Sequence, residues 1–207
     1  TFNRDMVRKI GAAIARNCIA HEIDILLAPA TNIHRNPLCG RNFEYFSEDP
    51  RLTGVLAAAM TKGVQQEEGY YVTVKHFACN NKENNRKYCD SRVSERALRE
   101  NYLKGFEIAI KKSKPLILMT SYNLVNGVRS SKNVEMILGI LREEWGYEGL
   151  VITDWNAHCS KIDEELLAGS NVKMPFAITE SSEPFDLKEA LNSGTISREN
   201  LLYSAKK

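Results

Sequence analysis

The chain has 207 residues, 43% of them hydrophobic and 26% charged, and its 28 basic and 26 acidic residues leave a formal charge of +2. That balance excludes an extended disordered chain, and a scattered basic excess is no phosphate-tracking surface, so no nucleic-acid partner is expected. No apolar run approaches the roughly 18 residues of a membrane span, which removes the membrane as a partner too.

The first element is a helix over Arg4 to Ala20, with Met6, Ile10, Ala13, Ile14 and Asn17–Cys18 spaced as one buried face. Its charges run throughout, unlike a signal or transit peptide. A strand follows in IDILLAP (Ile23 to Pro29), then a polar loop from Ala30 to Pro50. Asp49-Pro50 reads as an N-cap with proline at the first helical position, opening a helix over Arg51 to Glu68. YVTVKHF (Tyr71 to Phe77) is a β-branched strand, and the loop Ala78 to Arg92 leads to a helix capped by Ser94. The apolar face of that helix is Leu98, Tyr102, Phe106 and Ile110. PLILMTSY (Pro115 to Tyr122) is the next strand, followed by a turn at Asn126-Gly127 and a helix over Asn133 to Trp145. GLVITDW (Gly149 to Trp155) is the fourth strand. Weaker signals follow: a helix over Lys161 to Ala168, a short strand in NVKMP (Asn171 to Pro175), and helices over Asp186 to Asn192 and Ser197 to Lys206.

Continuous apolar strands separated by helices are the mark of a parallel sheet with crossover connections. No GxGxxG follows the first strand, so the pattern fits a (β/α)8 TIM-barrel-like fold better than a dinucleotide-binding sheet. A whole barrel takes about 250 residues and begins on a strand. The expectation is therefore one incomplete barrel domain over residues 1–207, lacking its opening strand or strands, whose open edges would favour self-association.

The five cysteines (Cys18, Cys39, Cys79, Cys89, Cys159) form no CxxC pair. Buried thiols in a reducing compartment, with the cytoplasm favoured, are expected in place of a zinc or disulfide framework. His158 and Cys159 adjoin without further ligand spacing, so no metal and no cofactor is expected.

In parallel α/β folds the chemistry gathers at the carboxyl ends of the strands. Lys75 and His76 end the second strand, Tyr122 and Asn123 the third, and Asp154 the fourth, while Arg41 lies in the loop after the first. Each has a bland alternative. Asp154 is also suited to N-cap the next helix. Lys75 is able to pair with a loop carboxylate, and Arg41 with Glu44 or Glu48. Arg86 is also a plausible surface residue in NNKENNRKY, Met119 a core one, and Trp155 either packing or a platform for a sugar ring. A Schiff-base role for Lys75 lacks an obvious base.

Together, GRNFEYFSEDPRLTG (Gly40 to Gly54), VKHFACNNKENNR (Val74 to Arg86), MTSYNLVNG (Met119 to Gly127) and GYEGLVITDW (Gly146 to Trp155) resemble the successive motifs of glycoside hydrolase family 3, the β-glucosidase and β-xylosidase family. The resemblance implies that Asp154 is the catalytic nucleophile. It implies that Arg41, Lys75, His76 and Arg86 hold the hydroxyls of the sugar in the −1 subsite, with Met119 and Tyr122 lining the pocket and Trp155 on the aglycone side. A retaining, exo-acting β-glycosidase is implied, acting on terminal β-D-glucosides or oligosaccharides, with β-xylosides second and an inert sugar-binding fragment as the non-catalytic reading. The family's early DGP-type segment is absent, and the acid/base carboxyl usually comes from a second α/β domain that nothing here matches. The isolated chain is therefore expected to turn over negligibly. The family's N-acetylglucosaminidase branch carries KHFPGHG where this chain reads Lys75-His76-Phe77-Ala78-Cys79-Asn80, which disfavours that branch.

Overall fold

The computed structural model describes residues 2–155, 160–174 and 187–207. Helix α1 (Arg4–Ala20) is capped by Asn3, whose side chain accepts from the amides of Asp5 and Met6. Helix α2 (Pro50–Val64) starts on Asp49, whose carboxylate accepts the Leu52 amide at 2.6 Å with proline at the first position, as the dipeptide predicts.

Four strands, β1 (Ile25–Leu26), β2 (Tyr71–Phe77), β4 (Ile117–Thr120) and β7 (Leu150–Ile152), form one wholly parallel sheet in the order β1-β2-β4-β7. The expected strand at Asn171 to Pro175 is realised as a single bridge from Val172 to Ile152, and Pro175 lies outside the described residues. The sheet is open among the described residues, a partial (β/α) barrel. The helical crossovers are α2, the run α3 (Glu95–Ala97) to α4 (Lys104–Ser113) through a wide turn at Leu98–Tyr102, and the wide helix Glu135–Glu144. Helices α5 (Ile162–Leu167), α6 (Leu187–Asn192) and α7 (Arg198–Ala205) follow, Asp186 lying outside the described residues. No described helix is long and apolar enough to cross a membrane.

The core lies between sheet and helices. Val72, Val74, Phe77, Leu118 and Val151 from the strands meet Phe106, Ile137, Ile140 and Leu141 from the helices, all buried. Phe77 sits edge-on to both Phe106 (5.4 Å) and Trp145 (6.1 Å), an arrangement the ring quadrupoles favour.

Strand β1 is two residues long where seven were expected, Ile23 to Pro29, and two further expectations need correction. The face α1 buries is Val7, Gly11, Ala12, Ala15 and Cys18, whereas Met6 and Ile10 are exposed at 48% and 43%. The reason is close helix packing. A Cβ on Gly63 would lie 2.2 Å from the Arg8 carbonyl oxygen, and one on Gly11 would lie 2.5 Å from that of Met60. Backbone meets backbone there, so the small residues face inward and the large ones turn out. Second, the stretches read as loops carry a small sheet of their own, β3 (Asp90–Ser91), β5 (Leu124–Val125) and β6 (Val128–Arg129). Its hairpin turns at Asn126-Gly127, both with positive φ (51° and 90°), the geometry that Asn-Gly supplies at least cost.

Candidate active site

Strand β2 departs from regular alternation near its end. Val74 pairs with Leu118 and Phe77 with Thr120, so three steps along β2 face two along β4. Such a bulge re-aims side chains, and here two consecutive residues join one cluster of charged groups. Lys75 reaches Glu44 from the preceding loop, and His76 reaches Asp154 at the end of β7. The backbone lost to the ladder finds a substitute in Asn32, whose buried amide accepts from the His76 N–H (2.9 Å) and donates to the His76 carbonyl (3.0 Å). Asn32 was not legible as a site residue, because its role belongs to a bulge that no periodicity announces.

Asp154 is 8% exposed. Its Oδ1 accepts the Trp155 amide at 2.7 Å, and Oδ2 meets no hydrogen-bond partner among the described residues, with His76 Nε2 3.7 Å away. Among the described residues the next helix starts eight residues later at Ile162, and Asp154 does not cap it. Burial raises the Asp154 carboxyl above the ordinary carboxylate range, while the Trp155 amide, Tyr122, Arg41 and Arg86 pull it back down. The cations favour ionisation, as the sequence suggests, but burial outweighs them. The Tyr122 hydroxyl donates to the Trp155 carbonyl beside this carboxylate. Burial and the Asp154 charge push the Tyr122 hydroxyl up to about 12, so it stays protonated.

Two carboxylates that sequence reasoning gave no functional part organise the cations. Glu44 bonds the Arg41 guanidinium with one oxygen and the Lys75 ammonium with the other, at 3.2 Å. Both bland pairings are thus realised through one residue. Arg86 pairs with Glu83 at 3.0 Å and lies 4.8 Å from the centre of the Tyr122 ring, which Lys87 approaches to 5.6 Å. The loop holding Arg86 is fixed by Arg129, which donates to the carbonyls of Lys87 and Tyr122, and by Ser121 and Asn123, which donate to that of Ala78. Tyr45 ties the Arg41 loop to the carbonyl of Asn80. Arg41, Lys75, His76, Arg86, Tyr122, Asp154 and Trp155 therefore share one mouth. Met119 lies deeper, 2% exposed, in a cluster with Ile117, Ile152, Trp155 and Met174. Among the described residues no group of His, Cys, Asp or Glu is placed to hold a metal, and His158 and Cys159 lie outside those residues.

His76 is held neutral. Burial, with Arg41, Lys75 and Arg86 around it, sets its proton affinity well below the usual histidine value. The sign follows directly. The unfolded chain binds a proton near pH 6.5 that the folded chain refuses, so stability falls as pH drops below that value, by about 1.4 kcal/mol per unit. Melting curves from pH 7.5 to 5.5 are expected to show wild type losing ground steadily to His76→Gln. Parallel acid limbs would mean that His76 is protonated in the fold.

The family model described as the glycosyl hydrolase family 3 N terminal domain matches residues 1–207. Beta-glucosidase A of Butyrivibrio fibrisolvens is 47% identical over 97% of this chain and 23% of its own length. Thermostable beta-glucosidase B of Acetivibrio thermocellus is 44% identical over 99% and 26%. An exo-alpha-(1->6)-L-arabinopyranosidase of Bifidobacterium longum is 42% identical over 92% and 25%. Beta-glucosidase 3B from Thermotoga neapolitana, solved with glucose, superposes with a TM-score of 0.94 at 46% identity, covering 99% of this chain and 29% of that one. The chain spans about a quarter of the length of the curated relatives it matches.

Proposed function

The chain belongs to glycosyl hydrolase family 3 as its N-terminal domain, and on that premise we propose that it forms the nucleophile-bearing side of a retaining, exo-acting β-glucosidase. The observation that carries this reading is the Asp154 carboxylate. It is buried at a strand end, fixed through one oxygen by the Trp155 amide, and left with the other oxygen unpartnered beside His76. Buried polar atoms without partners are rare and call for an explanation, and a bound sugar provides one. Nδ1 of His76 is unpartnered in the same way.

In this reading the Asp154 oxygen attacks the anomeric carbon as the bond to the aglycone oxygen breaks, and that oxygen takes a proton from a second carboxyl roughly 5 Å from the first. Water then attacks the glycosyl ester, returns a proton to that carboxylate, and releases the sugar and Asp154. Glu44 and Glu83 are committed to cations, so we assign the acid/base to a second domain of a longer enzyme. Hydroxyl groups of the sugar would meet Arg41, Lys75, His76 and Arg86, whose contacts tighten as the ring flattens towards an oxocarbenium ion. Lys75 is engaged with Glu44, which does not favour Schiff-base chemistry.

The test is covalent. With the full-length enzyme, a 2-deoxy-2-fluoro-β-D-glucosyl fluoride is expected to leave its glycosyl group on the peptide that contains Asp154, read by mass spectrometry. A label on any other carboxylate removes Asp154 as nucleophile. Because one relative is an arabinopyranosidase, aryl β-D-glucoside, β-D-xyloside and α-L-arabinopyranoside are to be compared as substrates.

A further inference from the structure

The charges around the mouth come close to cancelling. Arg41, Lys75, Arg86 and Lys87 supply four positive charges, against three negative ones from Glu44, Glu83 and Asp154. His76 adds nothing while it stays neutral. The balance depends on carboxylates that do no covalent chemistry. Glu44 is central, because Arg41 from the loop after β1 and Lys75 on β2 each bond one of its two oxygens. All three side chains are largely buried, at 17%, 13% and 19% exposed for Arg41, Lys75 and Glu44, so water screens the pairing little.

We propose that Glu44, seconded by Glu83 at Arg86, is a specificity-determining residue that restricts this pocket to uncharged glycones and excludes uronides. The proposal rests on the reading of the pocket as a glycone site. An unpaired Arg41–Lys75 couple would be a ready carboxylate trap, since a guanidinium and an ammonium side by side are the usual partners of an anion. Glu44 fills that trap from within the protein. A neutral hydroxyl still takes up the remaining N–H donors, because an arginine has five and a lysine three. A sugar carboxylate instead meets Glu44 at close range, and like charges set against one another are a recognised means of rejecting a wrong ligand.

The experiment measures kcat/KM for p-nitrophenyl β-D-glucoside and p-nitrophenyl β-D-glucuronide with the full-length enzyme, as wild type, Glu44→Gln, Glu83→Gln and Glu48→Gln. Glu48 lies on the same loop and is exposed. The ratio of glucuronide to glucoside is expected to rise by about 10-fold or more in Glu44→Gln, an ordinary size for single-contact discrimination. It should rise to a smaller extent in Glu83→Gln and keep its wild-type value in Glu48→Gln. Glu44→Gln slowing both substrates equally would make Glu44 a structural brace and overturn the proposal. If Glu44→Gln does not accumulate as folded protein, the ratio in Glu83→Gln decides, an unchanged value overturning the proposal. Wild type inactive on the glucoside overturns the glycosidase reading and this inference with it, whereas wild type active with an unchanged ratio in the variants overturns this inference alone.

Discussion

Asp154→Asn is expected to cost the full-length enzyme on the order of 10⁴-fold or more in kcat, as removal of a nucleophile does, and at the same time to raise its melting temperature. The first effect needs little comment: an amide oxygen does not form a glycosyl ester. The second comes from burial. In the folded chain the Asp154 carboxyl binds its proton more tightly than in the unfolded one, so holding it ionised at neutral pH costs stability, and that cost grows as pH rises through the folded value. Asparagine keeps the shape and still accepts the Trp155 amide without the charge. Steady-state hydrolysis of an aryl β-glucoside and a thermal melt on the same preparation check both halves. Wild-type turnover in the variant would dismiss Asp154 as nucleophile, and a lower melting temperature would show that the surrounding cations outweigh burial.

Gly63→Leu is expected to be the most damaging change away from the mouth. The 2.2 Å separation between a Cβ at Gly63 and the Arg8 carbonyl oxygen involves backbone on both sides, so no side chain is able to swing aside. Helix α1 has to move off α2, which also opens the close approach of Gly11 to Met60. Overpacking of this kind costs about 3 kcal/mol. It would appear as a lower denaturation midpoint or as loss of soluble protein. The matching change at Gly139, where a Cβ meets nothing within 4 Å, should be far milder. Equal damage at both positions would mean that the close approach of α1 to α2 does not set the cost, since helix propensity favours leucine over glycine at either site.

This contact also marks where the sequence was hard to read. The span of α1 was plain, Arg4 to Ala20 in both sequence and structure, because caps and periodicity are local. Its inward face was not, because hydrophobicity favoured Met6 and Ile10 while the fold selected Gly11 and Ala15 for their size. Strand β2 was legible to the residue, Tyr71 to Phe77, since β-branched residues run along it. Strand β1 shrank from seven expected residues to Ile25–Leu26, and hydrophobicity alone says nothing about whether a partner lies alongside. The small sheet β3-β5-β6 was missed because its strands have two residues each, too short for any period to register. The gathering of Lys75, His76 and Asp154 followed from their positions at strand ends. The Arg41–Glu44 pair was open to the sequence as a local alternative, but the bond of the second Glu44 oxygen to Lys75 was not, because pairing between distant segments depends on distances that only the folded chain defines.

The extra residue in β2 makes spacing as much a part of the design as identity. In a flat strand two neighbours point to opposite faces, so a lysine and a histidine side by side would part company, one towards the mouth and one into the helical layer. The same strand set in flat register, two residues facing two between Val74 and Phe77, has room for only one of the pair on that side. In lineages descended from such a gene, gaps are expected to accumulate elsewhere, while this short interval keeps its count even where its letters change.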